Sequence, residues 1–201
     1  MLNRLQAEHD NILKSLNLLE MQFLDMCRGR APDYALMRSI IVYIQEYPEQ
    51  IHHPLEDMIF SILLERVDEV EFVQKIITEH TQLEVVTRSL RESLESMSKG
   101  IVSKEKLKQQ LSEFLDAQRH HIFTEETKLY PLIQRVLTNK DWKQLQCMVP
   151  ILDEPIFGRR TRDDYERLYR EIEDKKITGL PETENANLNS TDTDRLQLAV
   201  G

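Results

Sequence analysis

The 201-residue chain carries 35 acidic residues against 26 Lys and Arg, a formal net charge of −9, with 40% apolar residues. That is enough apolar material for one sizeable core, and the acidic balance, with no dense Lys/Arg block, argues against nucleic acid or an anionic membrane surface as the main partner. Five glycines and seven prolines against 30% charged residues favour long helices, so the expected class is all-α.

Apolar residues recur at i, i+3, i+4 and i+7 over four long segments, predicting helices over residues 2–28, 33–66, 68–99 and 103–138. Gly29 with Pro32, Val67-Asp68 and Gly100 with Ser103 punctuate them. Connections this short make sequential helices antiparallel neighbours, an up-down-up-down four-helix bundle over residues 1–138. Pro48 and Pro54 each remove a backbone donor from the second helix, so a kink or break is expected near Tyr47-Pro48. A helical extension follows over 139–176, with a short helix at 141–149, a loop at 150–160 and a charged, solvated helix at 161–176. It is expected to pack across the bundle end, anchored by Trp142. The Thr-, Asn- and Glu-rich stretch 177–201 reads as a disordered tail.

The start, MLNRLQAEHDNIL, lacks a signal-peptide core, and no apolar run approaches the roughly 20 residues of a membrane span. A cytoplasmic location is expected. Cys27 and Cys147 share no CxxC spacing and sit in apolar helical patterns, which predicts two buried free thiols.

The chemistry is concentrated in the histidines. HHPLED (52–57) sets two of them side by side, each with a carboxylate four positions on, and HHIFTEE (120–126) repeats the pattern. His121, Glu125 and Glu126 follow His52, Glu56 and Asp57 by 69 residues each, while His80 follows His9 by 71. The chain thus reads as two helical hairpins, each with one histidine on its first helix and a His/carboxylate motif on its second. At about 100° per residue, His52 with Glu56 and His121 with Glu125 face inward, whereas His53, Asp57 and His120 point away. His9 and His80 lie in or beside the apolar stripes of their helices, and Tyr43 and Tyr47 read as core packing.

A single inward histidine is usually a satisfied core residue. Four of them with two inward carboxylates on four facing helices would cost several kcal/mol to bury without a metal. Imidazole and carboxylate without thiolate suit iron or manganese ahead of a structural zinc. Six ligands are too many for one open site and about right for two ions bridged by Glu56 and Glu125.

EHDNIL (8–13), YPEQIHHPLEDMIF (47–60), EHTQLE (79–84) and HIFTEETKLYP (121–131), with the DEPIFG…YERLYREI ending, resemble the hemerythrin-like HHE cation-binding proteins over roughly residues 1–175. The resemblance implies an oxo- or hydroxo-bridged pair of iron ions, with manganese and zinc as lesser fits, and His9, His52, Glu56, His80, His121 and Glu125 at the matching ligand positions. Oxygen-carrying hemerythrins have a further histidine four before the one on the third helix. That place is Ile76 here, leaving Glu79, Glu84 or water to fill it, and such an open site suits reaction with oxidants better than reversible O2 carriage. A ferritin-like reading, built on Glu-x-x-His, is matched once, at Glu49–His52.

The leading expectation is therefore a non-haem di-iron protein that binds, senses or reacts with O2, peroxide or nitric oxide, or that handles iron. The alternatives are a di-iron enzyme (peroxidase-like, nitric-oxide-reducing or repairing iron–sulfur clusters) served by an electron-donor protein, and a metal-free helical interaction module.

Overall fold

The computed structural model describes residues 1–97, 100–148 and 165–177, with side chains as far as Asp174. Among them every regular element is helical and there is no strand. Helix α1 spans Leu2–Cys27. The second segment is α2 (Tyr34–Glu46), a π-helical turn π1 (Pro48–His52) and α3 (His53–Leu64). Helix α4 spans Val70–Met97, and the fourth segment is α5 (Lys104–Thr124), a second π turn π2 (Glu125–Leu129) and α6 (Tyr130–Val136). Helices α7 (Asn139–Met148) and α8 (Glu166–Ile177) follow. The loop expected over 150–160 and the tail beyond Ile177 lie outside the described residues.

Local chemistry sets the ends. Asp33 caps α2 by accepting from the N–H groups of Ala35 and Leu36 at 3.1 and 3.0 Å, and the Ser103 hydroxyl caps α5 through Lys106 N at 3.2 Å. Helices α1 and α4 end on Gly29 and Gly100, with φ of 74° and 69°. After each, an N–H reaches back over five residues, Arg30 to Asp25 O at 2.8 Å and Ile101 to Ser96 O at 3.2 Å. The left-handed residue this closure needs costs least as glycine.

The prolines do not break the second segment. Pro54 has no N–H for the carbonyl of Gln50, so an unbroken α-helix would leave that carbonyl unserved. The ladder widens instead, with His52 N bonding Tyr47 O at 3.2 Å and His53 N bonding Pro48 O. Pro131 stands in the same relation to π2, where Tyr130 N bonds Glu125 O.

Helix α4 packs against α5, α2 and α3, and α1 against α5 and α2, forming a helical bundle. Its apolar interior is divided in two. One cluster gathers Leu16, Leu19, Ile40, Ile44, Leu90 and Phe114; the other gathers Leu5, Ile59, Phe60, Val73, Ile76 and Ile133. Helix α8 adds Leu168 and Ile172 to the first, with Tyr165 donating to Glu46 Oε2 at 2.5 Å. Helix α7 adds Leu145 to the second, with Trp142 half-buried against it, and Asp141 receives both Nη atoms of Arg66 at 2.6 and 2.8 Å. The extension thus serves both ends of the bundle.

Cys27 and Cys147 are exposed, contrary to the pattern-based expectation. Both lie at or next to the last residue of a helix, α1 and α7, where an apolar period no longer meets a packed neighbour.

Candidate metal centre

Each helical segment passes through a polar band between the two apolar clusters. His9 lies between Leu5 and Ile12, and His121 and Glu125 between Phe114 and Leu129. His9, His52, His80, His121, Glu56 and Glu125 are all buried, with both glutamates at 0% exposure. The Nε2 atoms turn toward the two carboxylates. His52 Nε2 is 3.4 Å and His80 Nε2 3.6 Å from Glu56 Oε2, and His9 Nε2 is 3.7 Å from Glu56 Oε1. Glu125 Oε1 lies 3.4 Å from His80 Nε2 and 3.3 Å from His121 Nε2, with its Oε2 3.4 Å from His9 Nε2.

The other ring nitrogens are braced by carboxylates from neighbouring segments. The Nδ1 of His52 bonds Glu8 at 2.8 Å, that of His80 bonds Asp57 at 2.8 Å, that of His121 bonds Glu79 at 3.2 Å, and that of His9 bonds Glu126 at 3.1 Å. These contacts close a ring around the bundle, from α1 to π1, α3 to α4, α4 to α5 and π2 back to α1. A carboxylate on Nδ1 fixes the tautomer that leaves Nε2 as the free donor and makes that donor more basic. Glu8 is further tied to Arg4 Nε at 2.7 Å and the Tyr47 hydroxyl at 2.8 Å.

Charge is balanced locally. Burial pushes the Glu8 carboxyl up, but the bonds from His52, Arg4 and Tyr47 outweigh it and hold it at about 2. Burial lowers His9 and His80, yet carboxylate contacts, Glu125 and Glu126 for the first and Asp57 and Glu125 for the second, raise both to about 10. Burial likewise opposes the ionisation of Glu125, and the surrounding histidines keep it well below the usual carboxylate range.

His53 is where the angular reading fails. It was expected to point away from the centre, but it is 4% exposed and belongs with Glu56, His80 and His121 to a group whose donor atoms lie within 4.8 Å of one another. The cause is π1, because a π turn inserts one residue and sets everything after it back by about 100°. His53 therefore takes the inward bearing that a regular helix would give the residue before it. Burial and the neighbouring His80, His52 and His121 drive its value well down, leaving a neutral imidazole. His53 thus brings a further buried imidazole beside His80, the one histidine of the third helix. Glu84 is exposed, Glu79 is engaged by His121, and Ile76 is in the apolar cluster. Asp57 belongs to neither group of converging donors and instead braces His80, and His120 is exposed. Glu49, the ferritin-like match, lines a surface cleft with Gln45, Gln50 and Arg91.

Among the described residues a second group, His9, His52 and Glu56, meets the same distance criterion, and Glu56 belongs to both. Several buried polar atoms here have no hydrogen-bond partner: His52 Nε2, His121 Nε2, His53 Nδ1, Glu56 Oε2 and Glu125 Oε2. Orphaned donors and acceptors in a packed interior are costly, and this set is what a cation would satisfy. The sequence model of the hemerythrin HHE cation-binding domain matches residues 1–133.

The chain belongs to the hemerythrin HHE cation-binding family. No curated protein and no solved structure matches it. For a hemerythrin-type domain the histidine and glutamate groups are suitably placed to hold metal; the sequence reading turned His53 outward, offered Glu79 as a stand-in ligand where it instead bonds His121, and gave no part to Glu8, Glu126 or Tyr130. Tyr130 is 1% exposed, donates its hydroxyl to Glu56 Oε1 at 2.6 Å and lies 3.2 Å from His9 Nε2.

Proposed function

We propose that this chain is a non-haem di-iron protein whose bundle runs up-down-up-down and whose task is to bind, sense or react with O2, peroxide or nitric oxide. The carrying observation is the convergence of buried, unpartnered His and Glu atoms on two adjoining groups that share Glu56. His9 and His52 would hold one ion and His53, His80 and His121 the other, with Glu56 and Glu125 between them. Iron there would supply a change of oxidation state and a place for a small ligand. The protein's own part is positional. Glu8, Asp57, Glu79 and Glu126 orient the imidazoles, and the two apolar clusters keep bulk water from the carboxylates.

The bundle order is supported by cross-helix contacts that run in opposite senses. Arg119 reaches Asn17 and Glu20 while Glu126 meets His9, and Gln110 reaches Ser89 while His121 meets Glu79. The same reading keeps the protein in the cytoplasm with a separate electron donor; no helix among the described residues is long and apolar enough to cross a membrane.

Metal analysis of protein purified without chelator, followed by anaerobic reconstitution with ferrous iron, tests the proposal. About two irons per chain are expected. One tightly held zinc with no iron uptake would refute it.

A further inference from the structure

Three tyrosines, Tyr43, Tyr47 and Tyr165, are buried together in the first apolar cluster. The rings of Tyr47 and Tyr43 have centres 6.4 Å apart and planes 6° from parallel, and those of Tyr43 and Tyr165 meet edge to face at 6.0 Å. At such separations neighbouring rings are in packing contact. Each end of the series is tied to a carboxylate. The Tyr47 hydroxyl donates to Glu8 Oε1 at 2.8 Å, and Glu8 Oε2 bonds His52 Nδ1 at 2.8 Å, so two hydrogen bonds join this phenol to a candidate ligand. The Tyr165 hydroxyl donates to Glu46 Oε2 at 2.5 Å, and Glu46 is exposed on the surface cleft that also holds Gln45, Gln50 and Arg91.

The hairpin repeat shows that bracing a histidine does not require these phenols. Glu79 braces His121 as Glu8 braces His52, and a cation stands beside each brace, Lys75 for the first and Arg4 for the second. The positions 69 beyond Tyr43 and Tyr47 are Ser112 and Asp116.

Resting on the two-metal reading above, we infer that Tyr47, Tyr43 and Tyr165 carry single electrons from the bundle end to the centre when hydrogen peroxide oxidises it, so that oxidising power leaves through Tyr165 and not through the imidazoles. Hydrogen peroxide takes up two electrons and two protons to become two waters. One electron comes from the ferrous ion of a half-oxidised pair and the other from Tyr47, whose own proton passes to Glu8 Oε1; solvent supplies the two protons. A phenol short of an electron is a far stronger acid than a carboxylic acid, so Glu8 accepts that proton although it is held at about 2. Tyr165 then gives an electron through the Tyr43 ring and its proton to Glu46, while Tyr47 recovers its proton from Glu8. A one-electron reductant of the ascorbate class, arriving at the cleft, restores Tyr165 as Glu46 returns the proton. Tunnelling falls off exponentially with distance, so short steps between touching rings outrun a single jump. Tyr130 offers no such exit, since its hydroxyl is bound to Glu56, which the ions would claim, and its ring packs on His9.

The test mixes ferrous-loaded protein with hydrogen peroxide, freezes it and reads electron paramagnetic resonance, with iron content and thermal midpoint measured for each variant. The wild type should give a tyrosyl signal, identified by its narrowing when the tyrosines are ring-deuterated, and Tyr47→Phe with full iron content should lose it. Tyr165→Phe should keep the signal but slow its decay on addition of ascorbate several-fold. Absence of a tyrosyl signal from iron-loaded wild type overturns the inference whether or not any variant folds. A signal that survives in Tyr47→Phe and disappears in Tyr130→Phe overturns it too, as does an ascorbate decay unchanged in Tyr165→Phe. Failure of the wild type itself to take up iron is the distinct result that removes the di-iron reading and this route with it.

Discussion

The imidazole of His53 lies flat against that of His80, ring centres 4.2 Å apart and planes 2° from parallel. Two histidines from different segments are thereby presented side by side to one carboxylate, Glu56. If this pair serves a single ion, His53→Ala should lower the iron content from about two per chain toward one while the helical circular dichroism stays at the wild-type level. His52→Ala should deplete the other position, and His120→Ala, altering an exposed residue, should change neither. Full iron content in His53→Ala would place His53 in the packing alone.

The π turn that delivers His53 depends on a missing donor at Pro54. Restoring an N–H with Pro54→Ala lets Gln50 O be served in α-helical register, which would turn His53 outward by about 100°. We expect Pro54→Ala to hold less iron at the three-histidine position with an equal or higher thermal midpoint. Amide hydrogen exchange over residues 47–54 would show the regularised ladder, and unchanged exchange there with full iron content would mean that packing, not proline, sets the turn.

Glu8 is the most deeply buried of the four braces, with its side chain 6% exposed against 33% for Glu126. Glu8→Gln keeps the volume but removes the anion that Arg4, Tyr47 and His52 share. Loss of such an outer partner commonly costs about 10–100-fold in metal affinity. Chelator competition should show a loss in that range for Glu8→Gln and a smaller one for Glu126→Gln, whose site water can reach. The reverse order would contradict the burial argument.

The metal-free protein should be most stable in mildly acidic solution. His9 and His80, raised from an ordinary 6.5 to about 10, contribute stability that is complete below about pH 6.5 and is lost as pH climbs toward 10. Glu8, lowered from 4.5 to about 2, contributes stability that is complete above about pH 4.5 and is lost as pH falls toward 2. Denaturant midpoints of chelator-treated protein should therefore pass through a maximum between about 4.5 and 6.5. Loading with metal must expel the His9 and His80 protons, so iron uptake at neutral pH should release protons, measurable as a dependence of calorimetric heat on buffer ionisation enthalpy. A flat stability profile from pH 6.5 to 10 would show that these histidines are not charged in the metal-free bundle.

Apolar periodicity made the four long segments and the inward bearing of His9, His80 and His121 legible, because regular helices obey a fixed angle. Where the ladder widens, at π1, the angle changes, and His53 was misread for that reason alone. The cysteines were misread because a helical period says nothing about whether a neighbour covers the last turn. The braces have a different cause. Glu8, Asp57, Glu79 and Glu126 each adjoin a ligand candidate in sequence, yet each serves the histidine of another segment, 23 to 117 residues away. No local spacing encodes such a partner, though an acid beside each of His9, Glu56, His80 and Glu125 was the available signal.

The ring of carboxylate braces crosses between hairpins twice, at Asp57–His80 and Glu126–His9, and stays within a hairpin twice, at Glu8–His52 and Glu79–His121. Either hairpin folded alone would leave one acid and one imidazole unmatched, so half the chain is a valence-unsatisfied piece. Its missing complement is chemically identical to what it already offers. Two copies of one hairpin, docked about a twofold axis, would therefore close the ring as fully as the covalent tandem does, whereas a single chain can carry different residues on its two sides, His53 on one and the Tyr130 hydroxyl on the other.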